Sequence, residues 1–255
     1  MKRYVALGSS MAAGPGIRPR AAGAPPWSGR SACNYPHLVA EQLSLGLVDV
    51  TFSGATTAHI LCDQQRGHPP QVTALDGSES LVTVTIGGND VGYIPLLMAA
   101  SAPRLARRLP VLGGRIDELL DCDTRDRALN DVFDSLCAVG RALRQRAARA
   151  RVCFVDYLTV LPPSGVPAPP LSETDADLGR YVATTLERVT ADAATATGCE
   201  LISAAAASRG HHAWSSEPWT TMPARYGVPL PGRPAPLHPN AAGMRAVAEL
   251  IVAQL

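Results

Sequence analysis

The sequence predicts one α/β domain over residues 1–255, with helices on both faces of a mainly parallel sheet. Five short apolar runs indicate strands, and most are continuous rather than alternating, which is typical of strands buried on both faces. Amphipathic helical patterns lie between these runs, and such alternation favours a parallel sheet. A chain of 255 residues is long enough to bury one complete core.

The predicted strands and helices alternate along the chain. The strands cover residues 4–7, 48–52, 81–86, 152–155 and 200–203. Helices are predicted over residues 34–45, over residues 128–149, from Ser172 onward and from Pro239 onward. Ligands bind beyond the carboxyl ends of the strands in such sheets, so the residues that follow each strand are candidates for a functional site.

Two long stretches interrupt this alternation. Residues 13–29 are rich in glycine, proline and arginine, and residues 208–236 hold Trp214, Trp219 and many prolines. Long loops inside a compact domain are often functional. We therefore expect the first loop near the end of the first strand and the second as an irregular approach to the last helix.

Composition excludes several classes of protein. Hydrophobic residues make up 46% of the chain and charged residues 18%, which excludes a disordered chain and a coiled coil. The net charge of +1 gives no general attraction to nucleic acid or to an anionic membrane. No segment has the roughly 20 consecutive apolar residues that a spanning helix needs. We therefore expect neither a nucleic-acid partner nor an integral membrane segment.

The six cysteines and the first residues bear on location and cofactors. No two cysteines have CxxC spacing, and we find no metal-ligand cluster or phosphate-binding loop, so we expect no metal and no cofactor. The first residues run directly into a strand, which leaves no room for a signal peptide. We expect a cytoplasmic protein with free thiols, or a secreted one if a leader has been removed.

Two candidate residues follow the first two strands. Ser10 lies in the stretch Gly8-Ser9-Ser10, where a small residue before a serine at a strand-to-helix turn exposes the hydroxyl. The alternative is an ordinary serine-rich turn that caps a helix. Gly54 follows the second strand, where a glycine lets the backbone approach a ligand, although a plain turn before a helix explains it better in isolation.

Two more candidates follow the third strand and precede the last helix. The side-chain amide of Asn89, after two glycines, can stabilise a developing oxyanion or can cap a helix that begins near Asp90. A lone histidine such as His238 is usually structural. It lies, however, where a general base is needed if Ser10 is a nucleophile, because the two groups must meet within hydrogen-bond reach.

These stretches, in this order, resemble the four sequence blocks of the SGNH (GDSL-like) hydrolase superfamily. Residues 4–14 (YVALGSSMAAG), 53–57 (SGATT) and 87–90 (GGND) are similar to the blocks of actinobacterial GDSL-type esterases and lipases, and His238 matches the histidine of the last block. The resemblance implies a flavodoxin-like three-layer α/β/α sandwich around a five-stranded parallel sheet.

The resemblance also implies a role for each residue. Ser10 would be the nucleophile of a serine ester hydrolase and would carry the acyl-enzyme, with His238 as the general base. The backbone N–H groups of Ser10 and Gly54 and the side chain of Asn89 would form the oxyanion hole. Substrates would be small-molecule or lipid acyl esters, with no cofactor.

Two positions depart from the family pattern. Ser9 stands where the family usually has Asp, which is not the catalytic acid, so we expect little effect. Ala235 stands where the family usually has the catalytic Asp, so the acid that orients the imidazole is missing. We expect the main-chain carbonyl of Ala235 to replace it. The alternatives are the carboxylate of Glu217 and a loss of activity.

The remaining sequence narrows the substrate only slightly. Residues 93–109 are rich in leucine and follow the oxyanion block, so they predict either an apolar wall for an acyl chain or a surface helix with a buried apolar face. Trp214 and Trp219 either wall the pocket or pack the loop. We favour aliphatic acyl esters. The rival hypotheses are a non-catalytic binding protein, favoured by the missing acid, and an acyltransferase that shares the acyl-enzyme.

Overall fold

A computed structural model describes residues 2–103, 105, 110–223 and 233–255. Five parallel strands form one sheet in the order β2-β1-β3-β4-β5. The strands are β1 (Arg3–Gly8), β2 (Gly46–Asp49), β3 (Glu79–Thr85), β4 (Arg151–Val155) and β5 (Glu200–Ile202). This is the flavodoxin-like order, so the predicted fold class is confirmed.

The helices alternate with the strands, as predicted. They are α1 (Ser10–Ala13), α2 (Tyr35–Gln42), α3 (Thr57–Leu61), α4 (Tyr93–Ala100), α5 (Pro110–Leu119), α6 (Cys122–Arg146), α7 (Glu173–Ala196), α8 (Ala204–Ala207) and α9 (Ala241–Gln254), with a 3₁₀ turn at Gln71–Ala74. Within the described ranges, no helix is both long and apolar enough to cross a bilayer.

Side-chain caps fix where three of the main helices begin. The side chains of Asn34, Ser172 and Asn240 accept hydrogen bonds from backbone N–H groups in the first turns of α2, α7 and α9. The predicted start at Ser172 is therefore confirmed as the N-cap. The last helix begins two residues after Pro239, because Asn240 rather than the proline caps it.

Alternate residues of each strand face two different cores. Val5 and Leu7 of β1 pack in the larger core with α3, α4, α6 and α7, whereas Tyr4 and Ala6 pack with α2 and α9 on the opposite face. Helices therefore cover both faces of the sheet. The six cysteines are not paired with one another.

The second strand ends earlier than predicted. The backbone N–H groups of Val50 and Phe52 still donate to the carbonyls of Ala6 and Gly8, at 3.0 and 2.9 Å. The N–H of Gly8, however, donates to the side chain of Gln71 instead of to a neighbouring strand. The regular ladder therefore stops at Asp49, and residues 50–52 run on as an extended connection toward Gly54.

The leucine-rich segment after the oxyanion block is mainly a core helix. Leu96 and Leu97 of α4 are fully buried in the larger core, while Met98 is exposed. This favours the surface helix with a buried apolar face over the predicted wall for an acyl chain. The arginines of that segment, Arg104, Arg107 and Arg108, lie outside the described residues.

Candidate active site

Ser10 and His238 are in hydrogen-bond contact at the carboxyl edge of the sheet. Ser10 follows β1 and is the first residue of α1, and His238 lies just before α9. The distance from Nε2 of His238 to Oγ of Ser10 is 2.8 Å. The two residues that the sequence analysis paired are therefore brought together, although 228 positions separate them.

The second ring nitrogen of His238 fixes the direction of this hydrogen bond. Nδ1 lies 2.7 Å from the carbonyl oxygen of Pro236. A carbonyl oxygen only accepts, so Nδ1 carries the proton and Nε2 of the neutral ring accepts from the Ser10 hydroxyl. Burial lowers the pKa of His238, and the hydrogen bond to Pro236 opposes part of that effect. The imidazole is therefore neutral near pH 7 and able to take a proton.

The sequence analysis expected the carbonyl of Ala235 to orient the ring. The carbonyl that does so belongs to Pro236. Leu237 adopts a left-handed backbone conformation with φ of 61°, which turns the carbonyl of Pro236 back toward the ring of His238. The carbonyl of Ala235 instead accepts a 2.6 Å hydrogen bond from the hydroxyl of Thr221. A sequence motif alone does not reveal this turn, because leucine seldom adopts positive φ.

Glu217 does not supply the predicted alternative. It is exposed, and its main-chain carbonyl accepts a 2.8 Å hydrogen bond from Nδ1 of His211. The ring of His211 stacks on Trp219 at 4.1 Å, and the indole N–H of Trp214 donates to the carbonyl of Pro169. The tryptophans therefore pack the long loop, which was one of their two predicted roles.

The second and third blocks are joined to each other by side-chain hydrogen bonds. The amide nitrogen of Asn89 donates to the carbonyl of Ala55 at 2.7 Å. The carboxylate of Asp90 accepts from both the backbone N–H and the hydroxyl of Thr57, at 3.0 and 2.6 Å. Gly54 directly precedes Ala55. It is exposed to solvent, and its backbone has φ of 80°. Asn89 does not cap α4, which begins after Gly92.

The turn between β1 and Ser10 packs tightly against β3. Gly8 has φ of 140°, and a Cβ atom there would come within 2.5 Å of the carbonyl oxygen of Thr85. The backbone N–H of Ser9 donates to that same oxygen at 2.9 Å. Only glycine fits the first position of this turn, which places Ser10 at a fixed height above the sheet edge.

Tyr157 is a residue of the site that sequence reasoning missed. Its hydroxyl accepts from the backbone N–H of Gly88 at 2.9 Å and lies 3.4 Å from the hydroxyl of Ser9. It thereby ties the third block to the first. Burial raises the pKa of Tyr157 to about 12, so the phenol stays protonated. Tyr157 lies two residues after β4, where the sheet-edge rule could have found it.

A cleft of about 500 Å³ lies next to Tyr157. Tyr157 forms one wall, together with Tyr93, Leu161 and Arg180, and neither residue of the dyad lines it. Within the described ranges, no group of three or more His, Cys, Asp or Glu side chains is arranged to hold a metal ion. The sheet edge presents a serine hydroxyl, a neutral imidazole and an amide donor.

Comparison with known proteins shows the family to which the chain belongs. The model of the GDSL-like Lipase/Acylhydrolase family matches residues 6–246. Lipase 2 of Streptomyces coelicolor is 32% identical over 256 residues, which cover 96% of this chain and 83% of that protein.

Two solved structures share the fold over nearly their whole length. The phospholipase A1 from Streptomyces albidoflavus NA297 is 26% identical with a TM-score of 0.78, covering 99% of this chain and 98% of that one. An extracellular lipase from Streptomyces rimosus is 24% identical with a TM-score of 0.80, covering all of both chains. The chain thus belongs to the GDSL-like lipase/acylhydrolase family, with the SGNH hydrolase fold, and is a carboxylic ester hydrolase.

Proposed function

We propose that the protein is a serine esterase that cleaves acyl esters through an acyl-enzyme on Ser10, with His238 as the general base. The observation that carries this proposal is the 2.8 Å contact between the two side chains, in a tautomer set by the carbonyl of Pro236. Nucleophile, base and orienting group in contact are the geometry of an activated serine. The contact argues against a non-catalytic binding protein.

The reaction would follow the usual two steps of acyl transfer. Oγ of Ser10 attacks the ester carbonyl as its proton passes to Nε2 of His238, and the carbonyl oxygen becomes an oxyanion. The backbone N–H groups of Ser10 and Gly54 and the second N–H of the Asn89 amide would donate to it. His238 then protonates the leaving alcohol, and water, activated by the same ring, releases the acid and restores Ser10.

The third member of the site would be a carbonyl dipole instead of a charge. The carbonyl of Pro236 holds the proton on Nδ1 and so keeps Nε2 as the acceptor. It offers the imidazolium less stabilisation than a carboxylate does. We therefore describe the site as a Ser–His dyad in which orientation, more than charge, activates Ser10.

Aliphatic acyl esters are the proposed substrate class. Relatives with names such as lipase and phospholipase A1 support this choice. The buried leucines of α4 do not, because they face the core. The cytoplasmic location stays a prediction.

Hydrolysis of a series of p-nitrophenyl acyl esters tests the proposal. We expect clear turnover by the wild type and a fall of about a thousandfold or more in kcat for both Ser10→Ala and His238→Ala, because nucleophile and base act as a unit. His37→Ala on α2 is a matched control and should stay near wild type. An added alcohol acceptor distinguishes hydrolysis from acyl transfer. A wild type no faster than the two dyad variants would contradict the proposal.

A further inference from the structure

We propose that Gln71 is a positioning residue of this site, whose side-chain amide holds the turn carrying Ser10 in register with the loop carrying Gly54. The inference rests on the proposed function. Gln71 begins the 3₁₀ turn Gln71–Ala74 and lies outside all four family blocks. Its side chain is 6% exposed and reaches the end of β1.

The amide of Gln71 binds both backbone groups of one residue. Its Oε1 accepts from the N–H of Gly8 at 2.8 Å, and its Nε2 donates to the carbonyl of Gly8 at 3.1 Å. A primary amide has one acceptor and a donor side by side, which matches the N–H and C=O of a strand residue. The side chain therefore takes the place of a neighbouring strand where the β1–β2 ladder has ended.

The position of Gly8 connects the nucleophile with the oxyanion loop. The carbonyl of Gly8 also accepts from the N–H of Phe52 at 2.9 Å, and Phe52 precedes Gly54 by two residues just as Gly8 precedes Ser10. Gly8 has a backbone conformation that favours glycine, and a glycine has no side chain that could fix its position. The amide of Gln71 thus controls how Ser10 and the backbone N–H of Gly54 are placed relative to each other. Both must face the carbonyl group of the substrate ester.

We call the two hydrogen bonds between the side chain of residue 71 and the backbone of Gly8 the clamp. In the variant Gln71→Glu, the clamp depends on whether the carboxyl group is protonated. In Gln71→Glu, a protonated carboxyl has one donor and one acceptor and reproduces the amide pattern. An ionised carboxylate only accepts, so it cannot donate to the carbonyl of Gly8 and repels it. The same protein would therefore have the clamp at acid pH and lack it at alkaline pH.

The test is the reaction of Ser10 with a p-nitrophenyl phosphonate, together with kcat and KM for a p-nitrophenyl ester. For Gln71→Ala we expect a fall of about 10- to 100-fold in kcat and in labelling rate, the size typical of a small misplacement of reacting groups. KM should change little, and labelling should still reach one phosphonate per chain. Gln254→Ala, which removes an amide at the end of α9, is the matched control and should behave as wild type.

For Gln71→Glu we expect the labelling rate, relative to wild type at each pH, to fall as the pH rises. The same ratio for Gln71→Ala should be independent of pH. If Gln71→Ala does not fold, the acid and alkaline rates of Gln71→Glu carry the test within one protein, and a constant ratio overturns the inference.

Other outcomes separate this inference from the proposed function. Wild-type rates in folded Gln71→Ala overturn the positioning role. The positioning role is also overturned if fewer chains are labelled but those chains react at the wild-type rate. That result would mean that Gln71→Ala only reduces the fraction of folded protein. If Ser10→Ala hydrolyses esters as well as wild type, the proposed function itself fails. If Ser10→Ala is inactive and Gln71→Ala is fully active, the proposed function stands and only the positioning role of Gln71 is overturned.

Discussion

The two members of the proposed dyad are held by different kinds of structure. Ser10 follows a turn fixed by the sheet, since Ser9 bonds to Thr85 of β3 and Gly8 bonds to Phe52 and Gln71. These contacts come from three separate parts of the chain. The nucleophile is therefore fixed from several sides, and a change in its turn has little room to relax.

His238 is held mainly by one irregular stretch of chain. The backbone N–H of Thr221 donates to the carbonyl of His238 at 2.9 Å, and the N–H of Leu237 donates to Thr221 at 3.2 Å. The orienting carbonyl of Pro236 lies within the same segment. The turn that carries Ser10 is therefore tied to three distant parts of the chain, while His238 is held by hydrogen bonds among Thr221 and residues 236–238, so damage to each should differ in kind.

Among changes that leave Ser10 and His238 in place, Gly8→Ala on the nucleophile side should have the largest effect. The new Cβ would meet the carbonyl oxygen of Thr85 at 2.5 Å in a backbone conformation that alanine rarely adopts. We expect the free energy of unfolding to fall by roughly 2 to 4 kcal/mol, and kcat of the folded protein to fall about a hundredfold. Urea unfolding and ester hydrolysis measure the two effects.

Gly23→Ala is the control for an alanine at positive φ without a steric contact. Gly23 also has positive φ, 67°, but a Cβ there meets nothing within 4 Å. Its unfolding free energy should fall by only about 1 to 2 kcal/mol, with normal activity. Equal losses in the two variants would show that contact with β3 does not fix the nucleophile turn.

A smaller effect is expected on the histidine side, from Thr221→Val. The hydroxyl of Thr221 donates to the carbonyl of Ala235 at 2.6 Å, and it also lies 3.3 Å from the backbone N–H and from the carbonyl of His238. Valine keeps the shape while removing these hydrogen bonds. We expect the free energy of unfolding to fall by about 1 kcal/mol, and kcat to fall about tenfold because His238 is less well placed. Thr221→Ser should retain activity, and a Ser variant as slow as the Val variant would assign the loss to packing instead.

The smallest expected effect is a displaced pH profile. Burial lowers the pKa of His238 below its ordinary value of about 6.5, and protonated His238 cannot accept the proton of Ser10. Activity should therefore rise with pH, and the midpoint of the acid limb of kcat/KM should lie below about 6.5. A midpoint above that value would indicate a carboxylate partner, which raises the pKa of a histidine.

Some features of the site can be predicted from the sequence, and others cannot. The order of strands and helices and the pairing of Ser10 with His238 follow from apolar patterns and family blocks. Those features repeat along the chain or are shared by relatives. The roles of Pro236 and Gln71 depend on a leucine at positive φ and on a side chain that replaces a strand. Neither feature leaves a periodic pattern in the sequence, so only the three-dimensional structure reveals the two roles.

The separation of the dyad along the chain has a consequence for biosynthesis. Ser10 belongs to the first strand–helix unit, while His238 is held just before α9, which packs against α2 near the start. Contacts between such distant positions form late, because closing a long loop costs entropy. A chain still being synthesised can thus form most of the sheet and remain chemically silent. Esterase activity in a cell would report molecules in which Ser10 and His238 have met.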